Sequence, residues 1–412
     1  MPFYIGREKH YYSHMIRLIC AIAILLASAA AVSAHHGFGT FELNKSVTYT
    51  GKLTRLEFIN PHSWLYFEVT DANGKVTKHR CEMRSAHTLR RSGWKEDLFP
   101  IGQQVTIEAA PDRADPQSCY LNTIRFANGS HMDRYGQYVS TGKNKVEEVR
   151  GPLSRRGGVP PPKPRAVRTA SGEPNLAGDW APEQVVMADP TGKGGGLVPL
   201  SQIATVKPGE GRAGGGGGGG GRGRGQAGGP RTYAGTELTP AGDAAAAKFT
   251  QQDNPRFKCE TTSIIFDWTF DGPVNRIQQN RDQILIYYGQ MNLRRTIHMN
   301  TKTHPPNVKP SRAGHSYGYW EGDVLVVDTA NFLPGFLSFP TPHSEQLHVV
   351  ERFSLDPQTM KLTRSWTVED PVNLKGQGKG QDTIELADQA YIRDTCKELK
   401  DVDYSKETAS QK

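Results

Sequence analysis

The sequence predicts a mainly β protein. An OB-like five-stranded barrel comes first and an antiparallel lipocalin-like barrel or sandwich second, with disordered Gly/Pro-rich segments between and within them. Three observations predict this. Short runs of alternating apolar and polar residues recur toward both ends of the chain, set apart by turn pairs such as Asn73-Gly74, Gly322-Asp323 and Asp356-Pro357. Glycine and proline crowd the middle, with an unbroken Gly214–Gly221 and the triplet Pro160-Pro161-Pro162. After an apolar N-terminal stretch four cysteines remain, an even number that suits structural disulfides in an oxidising compartment.

The N-terminal stretch reads as a signal peptide over residues 1–34. Arg17 precedes the apolar run Leu18–Val32, which closes on Val32-Ser33-Ala34, an A-x-A-like cleavage site. The run has only about 15 residues where a membrane span needs roughly 20, so no transmembrane segment is expected once it is removed. A periplasmic or secreted location follows. Met15 is an alternative start, and Cys20 leaves with the peptide.

The first domain is placed at residues 35–140. Strands are predicted at Ser46–Phe58, Trp64–Thr70, Lys75–Met83, Gln104–Ala109 and Tyr120–Phe126, with a short helix at Ser85–Arg91 between the third and the fourth. Five strands with a helix in that place are the OB arrangement. A Pro/Arg-rich linker is assigned to residues 141–173. The second domain, 174–400, opens with a strand at Leu176–Trp180 and carries a Gly-rich insertion at 209–230. A helix from Pro240 to Ala247 follows, with proline at its first position. Strands are then expected at Ser263–Phe270, Asn275–Asn280, Gln283–Gly289, Leu293–Asn300, Gly314–Glu321, Val324–Thr329, His348–Leu355, Lys361–Glu369 and near Asp382–Leu386, before a polar tail at 401–412. So many strands need closure to hide their edges. Within these domains two disulfides are possible, Cys81–Cys119 and Cys259–Cys396.

The segments His35-His36-Gly37-Phe38, Gly51-Lys52-Leu53 and Phe58-Ile59-Asn60-Pro61-His62-Ser63-Trp64 resemble a family of small exported bacterial domains of unknown function. The second half resembles uncharacterised exported lipocalin-like proteins. That likeness rests on Leu238–Gly242, Asp253-Asn254-Pro255 with Cys259, Gly314-His315-Ser316, Trp320–Thr329 and His343–Arg352. Both resemblances imply a fold and a compartment, and neither implies a reaction.

The net charge of +8 does not point to nucleic acid. Residues 141–231 carry fourteen Lys/Arg against seven Asp/Glu, so the basicity sits between the domains and not on a folded face. Three constellations could carry chemistry. A mature N terminus at His35-His36 would chelate copper through its amine and imidazoles, with His62 as a further ligand. His315, His343, Glu345 and His348 supply general acid/base groups or metal ligands. Aromatics on predicted strands (Trp268, Tyr287, Trp320, Phe353, Trp366) could line a cavity in which Arg295, His298 and Arg352 fix a ligand, with Trp320 against it. The leading reading is a periplasmic or secreted binding protein for a small molecule or metal, with copper at a mature N-terminal His35-His36 as its sharpest form. Its alternatives are a metal-dependent or acid/base hydrolase and a structural or partner-binding envelope protein; oligomeric state is open. Intact mass of the exported chain is expected to place residue one at His35, and any other start removes the N-terminal chelate.

Overall fold

The computed structural model describes residues 41–42, 45–91, 94, 96–113, 115–134, 138–142, 145–150, 165–187, 197–199, 231–250 and 253–397. The segment read as a signal peptide, His35 and His36, most of the linker, the Gly-rich insertion and the polar tail lie outside them.

The first barrel is formed by β1 (Val47–Glu57), β2 (Trp64–Thr70), β3 (Val76–Glu82), β4 (Gln104–Pro111) and β5 (Ser118–Phe126). The strands pair in the order β3-β2-β1-β4-β5, and a parallel β3–β5 contact closes the ring. Helix α1 (Ala86–Arg91) lies between β3 and β4, as in an OB fold. Alternation sends Leu53, Leu65, Phe67, Ile107 and Ile124 inward, where they pack with Trp94 and Leu89. The closing contact is short, and Cys81 faces Cys119 at its centre. The disulfide between them spans 38 residues of sequence. Loop-closure entropy for such a loop is about 4 kcal/mol. A narrow seam is thereby held by a covalent bond. The ladder continues through β6 (His131–Asp133), β7 (Tyr138–Gly142) and β8 (Lys145–Arg150), so the sheet runs past residue 140 into what the sequence assigns to the linker.

The second domain contains β9 (Gly178–Ala181), the hairpin β10 (Val185–Met187) with β11 (Leu197–Pro199), the pair β12 (Thr232–Tyr233) and β13 (Thr236–Glu237), and helix α2 (Pro240–Lys248). Then come β14 (Asn275–Gln279), β15 (Gln283–Tyr287), β16 (Arg294–His298), β17 (His315–Glu321) and β18 (Val324–Ala330). The hairpin β19 (Gly335–Ser338) with β20 (Thr341–His343) precedes β21 (His348–Asp356), β22 (Lys361–Glu369) and β23 (Gly378–Leu386). Nine of these close a barrel in the order β14-β15-β16-β17-β18-β21-β22-β23-β9. One pairing departs from the antiparallel expectation: β16 and β17 run parallel, because the long connection between them returns the chain to the same end.

A second departure is the predicted strand Ser263–Phe270, which is irregular with a 3-10 turn at Phe266–Trp268. Ile264 and Ile265 are buried in succession, which a strand with one wet face does not allow. Their carbonyls accept from the Arg364 guanidinium, and Ile264 also accepts from the Tyr288 hydroxyl. The segment packs into the barrel core through Ile264, Ile265 and Trp268.

The barrel interior is filled by side chains. Trp268, Tyr288, Phe353 and Trp366 form its aromatic part, with the Trp366 ring lying on Gly380, where a Cβ would stand 2.2 Å from the ring. Its polar part is an ionic group. Arg295 reaches Glu351 at 2.5 Å, and Arg364 reaches Glu351 at 3.1 Å and Asp382 at 2.5 Å, all buried. Among the described residues no helix is long and apolar enough to cross a membrane. Removing one member of a buried ion pair strands the others without compensation. Glu351→Ala is therefore expected to lower unfolding free energy by about 3–5 kcal/mol, read by urea denaturation.

Candidate functional site

Two polar assemblies stand out. The first joins the domains. In the Asn60-Pro61-His62 turn the Asn60 amide donates to Asp394 at 2.5 Å, and its Oδ1 lies 3.1 Å from Nδ1 of His87. The Lys397 N–H donates to the Asn60 carbonyl. His62 pairs with Glu82 at 2.5 Å and sets its ring against the edge of Phe257. Beside the turn, Asp271 of the second domain accepts from Arg84 at 2.9 Å and from the Ser85 hydroxyl, while its carbonyl accepts from Thr88. Cys259–Cys396 links the segment carrying Phe257 to the segment carrying Asp394. The Asn-Pro-His entry thus docks one barrel on the other. Burial alone would raise the Asp271 pKa, but Arg84, His87 and Ser85 outweigh it and hold the carboxyl at about 2.

The second assembly lies on the outer wall of the second barrel. Alternation on β17 turns Ser316 inward and His315 and Tyr317 outward; on β18 it turns Thr329 inward and Asp328 outward. His348 faces outward at the start of β21. His304 comes from the β16–β17 connection, where Pro305 restricts the preceding backbone to extended conformations. Asp328 Oδ1 lies 3.0 Å from Nε2 of His304 and 2.8 Å from Nε2 of His348. His304 Nδ1 lies 2.8 Å from Nδ1 of His315. The His298 ring stacks on that of His315 at 5.1 Å, and the Tyr317 ring lies 4.9 Å from that of His304.

Local chain geometry makes room for this. His315 pairs with Ala330 across β17 and β18, a residue with only a methyl beside the ring. Gly314, at φ +66°, precedes it, and a Cβ there would stand 2.7 Å from the Ala330 carbonyl oxygen. A side chain at 314 would push β17 away from β18 at the row that carries the imidazoles.

The electrostatics separate the histidines. The hydrogen bond to Asp328 raises the His348 pKa against the opposing effect of burial. Burial lowers that of His315, helped by His304 and His298. Burial would raise Asp328, but the hydrogen bonds from His348 and His304 outweigh it and the carboxyl is held below its usual value. At neutral pH the carboxylate is ionised.

Residues 23–119 match a family of unknown function, DUF6152. The match covers the first barrel through the start of β5 and does not reach the second domain. No curated protein and no solved structure matches the chain.

Of the acid/base candidates, His315 and His348 meet on the His304–Asp328 pair. His343 does not join them. It is buried beside Phe332 and Gly335, with Nδ1 against the Ser344 carbonyl, and burial lowers its pKa. Glu345 is exposed in the turn before β21. The cavity residues are dispersed. Arg295 is inside the barrel, bonded to Ser316, Thr329 and Glu351. His298 is on the outer wall, Arg352 pairs with Glu321 on the surface, and Trp320 packs against the core. Tyr287 points outward toward Tyr391, and its neighbour Tyr288 takes the inner position. His62 is engaged in the domain contact. Both sequence-expected disulfides are present. Sequence reasoning passed over Asp328 and His304. A lone carboxylate on the apolar strand Val324–Ala330 was a usable signal, whereas nothing in the spacing ties His304 to it.

A carboxyl held at about 2 contributes stability that is complete above the ordinary Asp value of 3.8 and is lost as pH falls through the folded value. The contact between the two barrels is therefore expected to weaken between pH 4 and pH 2. Small-angle scattering should record an expansion there, and Asp271→Asn should bring that expansion to neutral pH.

Proposed function

We propose that this chain is an extracytoplasmic binding protein whose ligand-contacting group is the imidazole–carboxylate cluster on the wall of the second barrel. The compartment is supported by the signal-like N terminus and the two disulfides. The observation that carries the site is that Asp328 holds two histidines from separate segments on a solvent-facing wall. The fold does not depend on them there, because the same strands are joined from inside by Arg295, Ser316, Thr329 and Glu351. Side chains organised where packing does not require them are the mark of a functional site.

The acid/base reading draws on one further observation, the opposite pKa shifts of His348 and His315, which separate a proton donor from an acceptor. Turnover of an activated ester that disappears in Asp328→Asn would move the conclusion to a hydrolase.

The structural alternative is tested by stability. Groups kept for binding are often neutral or stabilising when simplified, and gains of about 0.5–2 kcal/mol are common. His348→Ala and Asp328→Asn are expected to leave the unfolding midpoint unchanged or raised. A loss of more than about 2 kcal/mol would assign the cluster to packing instead.

A further inference from the structure

The two disulfides sit in different surroundings. Cys81 and Cys119 are fully buried in the closing seam of the first barrel. Cys259 and Cys396 are each partly exposed and lie outside any strand. Thiols reach exposed disulfides, which are the labile and regulatory ones, whereas shielded structural bonds resist reduction.

The exposed bond fastens a strap. β23 ends at Leu386, and residues 387–397 have no regular secondary structure. This stretch nevertheless makes several of the contacts between the barrels. Asp394 is buried and bridges them: Oδ1 accepts from the Asn60 amide of the first, and Oδ2 accepts from the Met291 N–H of the second at 2.5 Å. The Lys397 N–H donates to the Asn60 carbonyl at 3.1 Å. Asp388 accepts from Arg91 on α1 at 3.2 Å, and the Gln389 amide donates to the Arg90 carbonyl at 3.1 Å. The strap itself is lightly held on the second barrel. The N–H groups of Ala387 and Tyr391 donate to Asp179, while Ile392 is 68% exposed. Few backbone hydrogen bonds and little buried apolar surface mark a segment that opens locally. Cys396 ties its far end to Cys259, which closes the turn Pro255–Lys258 that carries Arg256 and Phe257.

We propose that Cys259–Cys396 is a reducible clasp: a dithiol opens it while Cys81–Cys119 stays closed, and the freed strap lets go of Asn60 and α1. The inference goes beyond the binding reading above and does not rest on it. One thiolate of the dithiol attacks a sulfur of the Cys259–Cys396 bond and displaces the other cysteine as its thiolate. The second thiol then attacks the mixed disulfide, releases the remaining cysteine and closes the reductant's own disulfide. Two electrons and two protons pass from the dithiol to the two cysteines. With the clasp open, the docking rests on Asp271 with its partners Arg84, Ser85 and Thr88. The redox state of the compartment thereby sets how firmly the first barrel is held.

The test is graded dithiothreitol treatment of the purified, folded chain, followed by alkylation with peptide mass mapping and by amide hydrogen exchange. Alkylation of Cys259 and Cys396 is expected while Cys81 and Cys119 remain paired. The Lys397 and Met291 amides, which bond to Asn60 and Asp394, should then exchange faster by about tenfold. Reoxidation with glutathione disulfide should restore both rates. Alkylation of all four residues together, a Cys259–Cys396 bond that resists the dithiol, or selective opening with unchanged exchange each overturns the proposal. Cys259→Ser combined with Cys396→Ser should show the fast exchange without dithiol and no further change with it, and slow exchange there also overturns the proposal. The result on the unmodified chain stands whether or not that variant folds.

Discussion

Arg295 spans four strands from inside the second barrel. It lies on β16, donates to Ser316 on β17 and Thr329 on β18, and pairs with Glu351 on β21. These four strands carry His298, His315, Asp328 and His348 on their outer faces. Because successive side chains point to opposite faces, each inner partner sits next to or near an outer imidazole or carboxylate in sequence. A buried guanidinium thus fixes the relative height of strands that include the barrel's single parallel pair. A one-residue slip of either strand would shift His315 against Asp328 and turn that strand's outward side chains inward. The ionic group is costly to bury, and replacing such groups with apolar residues is often neutral or stabilising. Its presence in an otherwise apolar core fits a role in specifying register more than in adding stability.

The second dependence is between the domains. The OB-like barrel closes on itself through Cys81–Cys119 and then offers its Asn-Pro-His turn and α1 to the other domain. The partners it meets come from two distant stretches, Pro255–Asp271 and Asp388–Lys397, and Cys259–Cys396 holds those stretches together. The family match ends within β5, so the surface used for docking belongs to the matched region while its seat does not. This gives the Asn-Pro-His motif a physical role as an attachment element and places it away from the imidazole cluster.

Much of the fold was legible in the chain. The five strands and helix of the first barrel fall within a few residues of their expected positions, and Lys361–Glu369 matches without change. Lys361–Glu369 alternates cleanly, and several of these segments are bounded by turn pairs such as Asn73-Gly74, Asn128-Gly129 and Asp356-Pro357, so local chemistry and global structure agree. The errors have physical causes. Ser263–Phe270 looks like a strand because it is rich in isoleucine and aromatics, yet its carbonyls are claimed by the side chains of Arg364 and Tyr288 instead of a neighbouring strand. The parallel pairing of β16 with β17 depends on how a long connection crosses the barrel, and strand patterns carry no information on direction.

The sequence by itself determined the β class and the division into a first barrel and a second barrel or sandwich; it offered a possible pairing of the four cysteines and, among four candidates, two members of the cluster, His315 and His348. All of these rest on periodicity, turn chemistry or residue type, which act over a few residues. Tertiary structure alone decided that Asp328 and His304 complete the cluster, that His343 and Glu345 stand apart, and that Arg295 braces the barrel instead of lining a cavity. Those outcomes depend on which strands become neighbours and in what register. Closure of a nine-stranded ring sets both, and no local pattern encodes them.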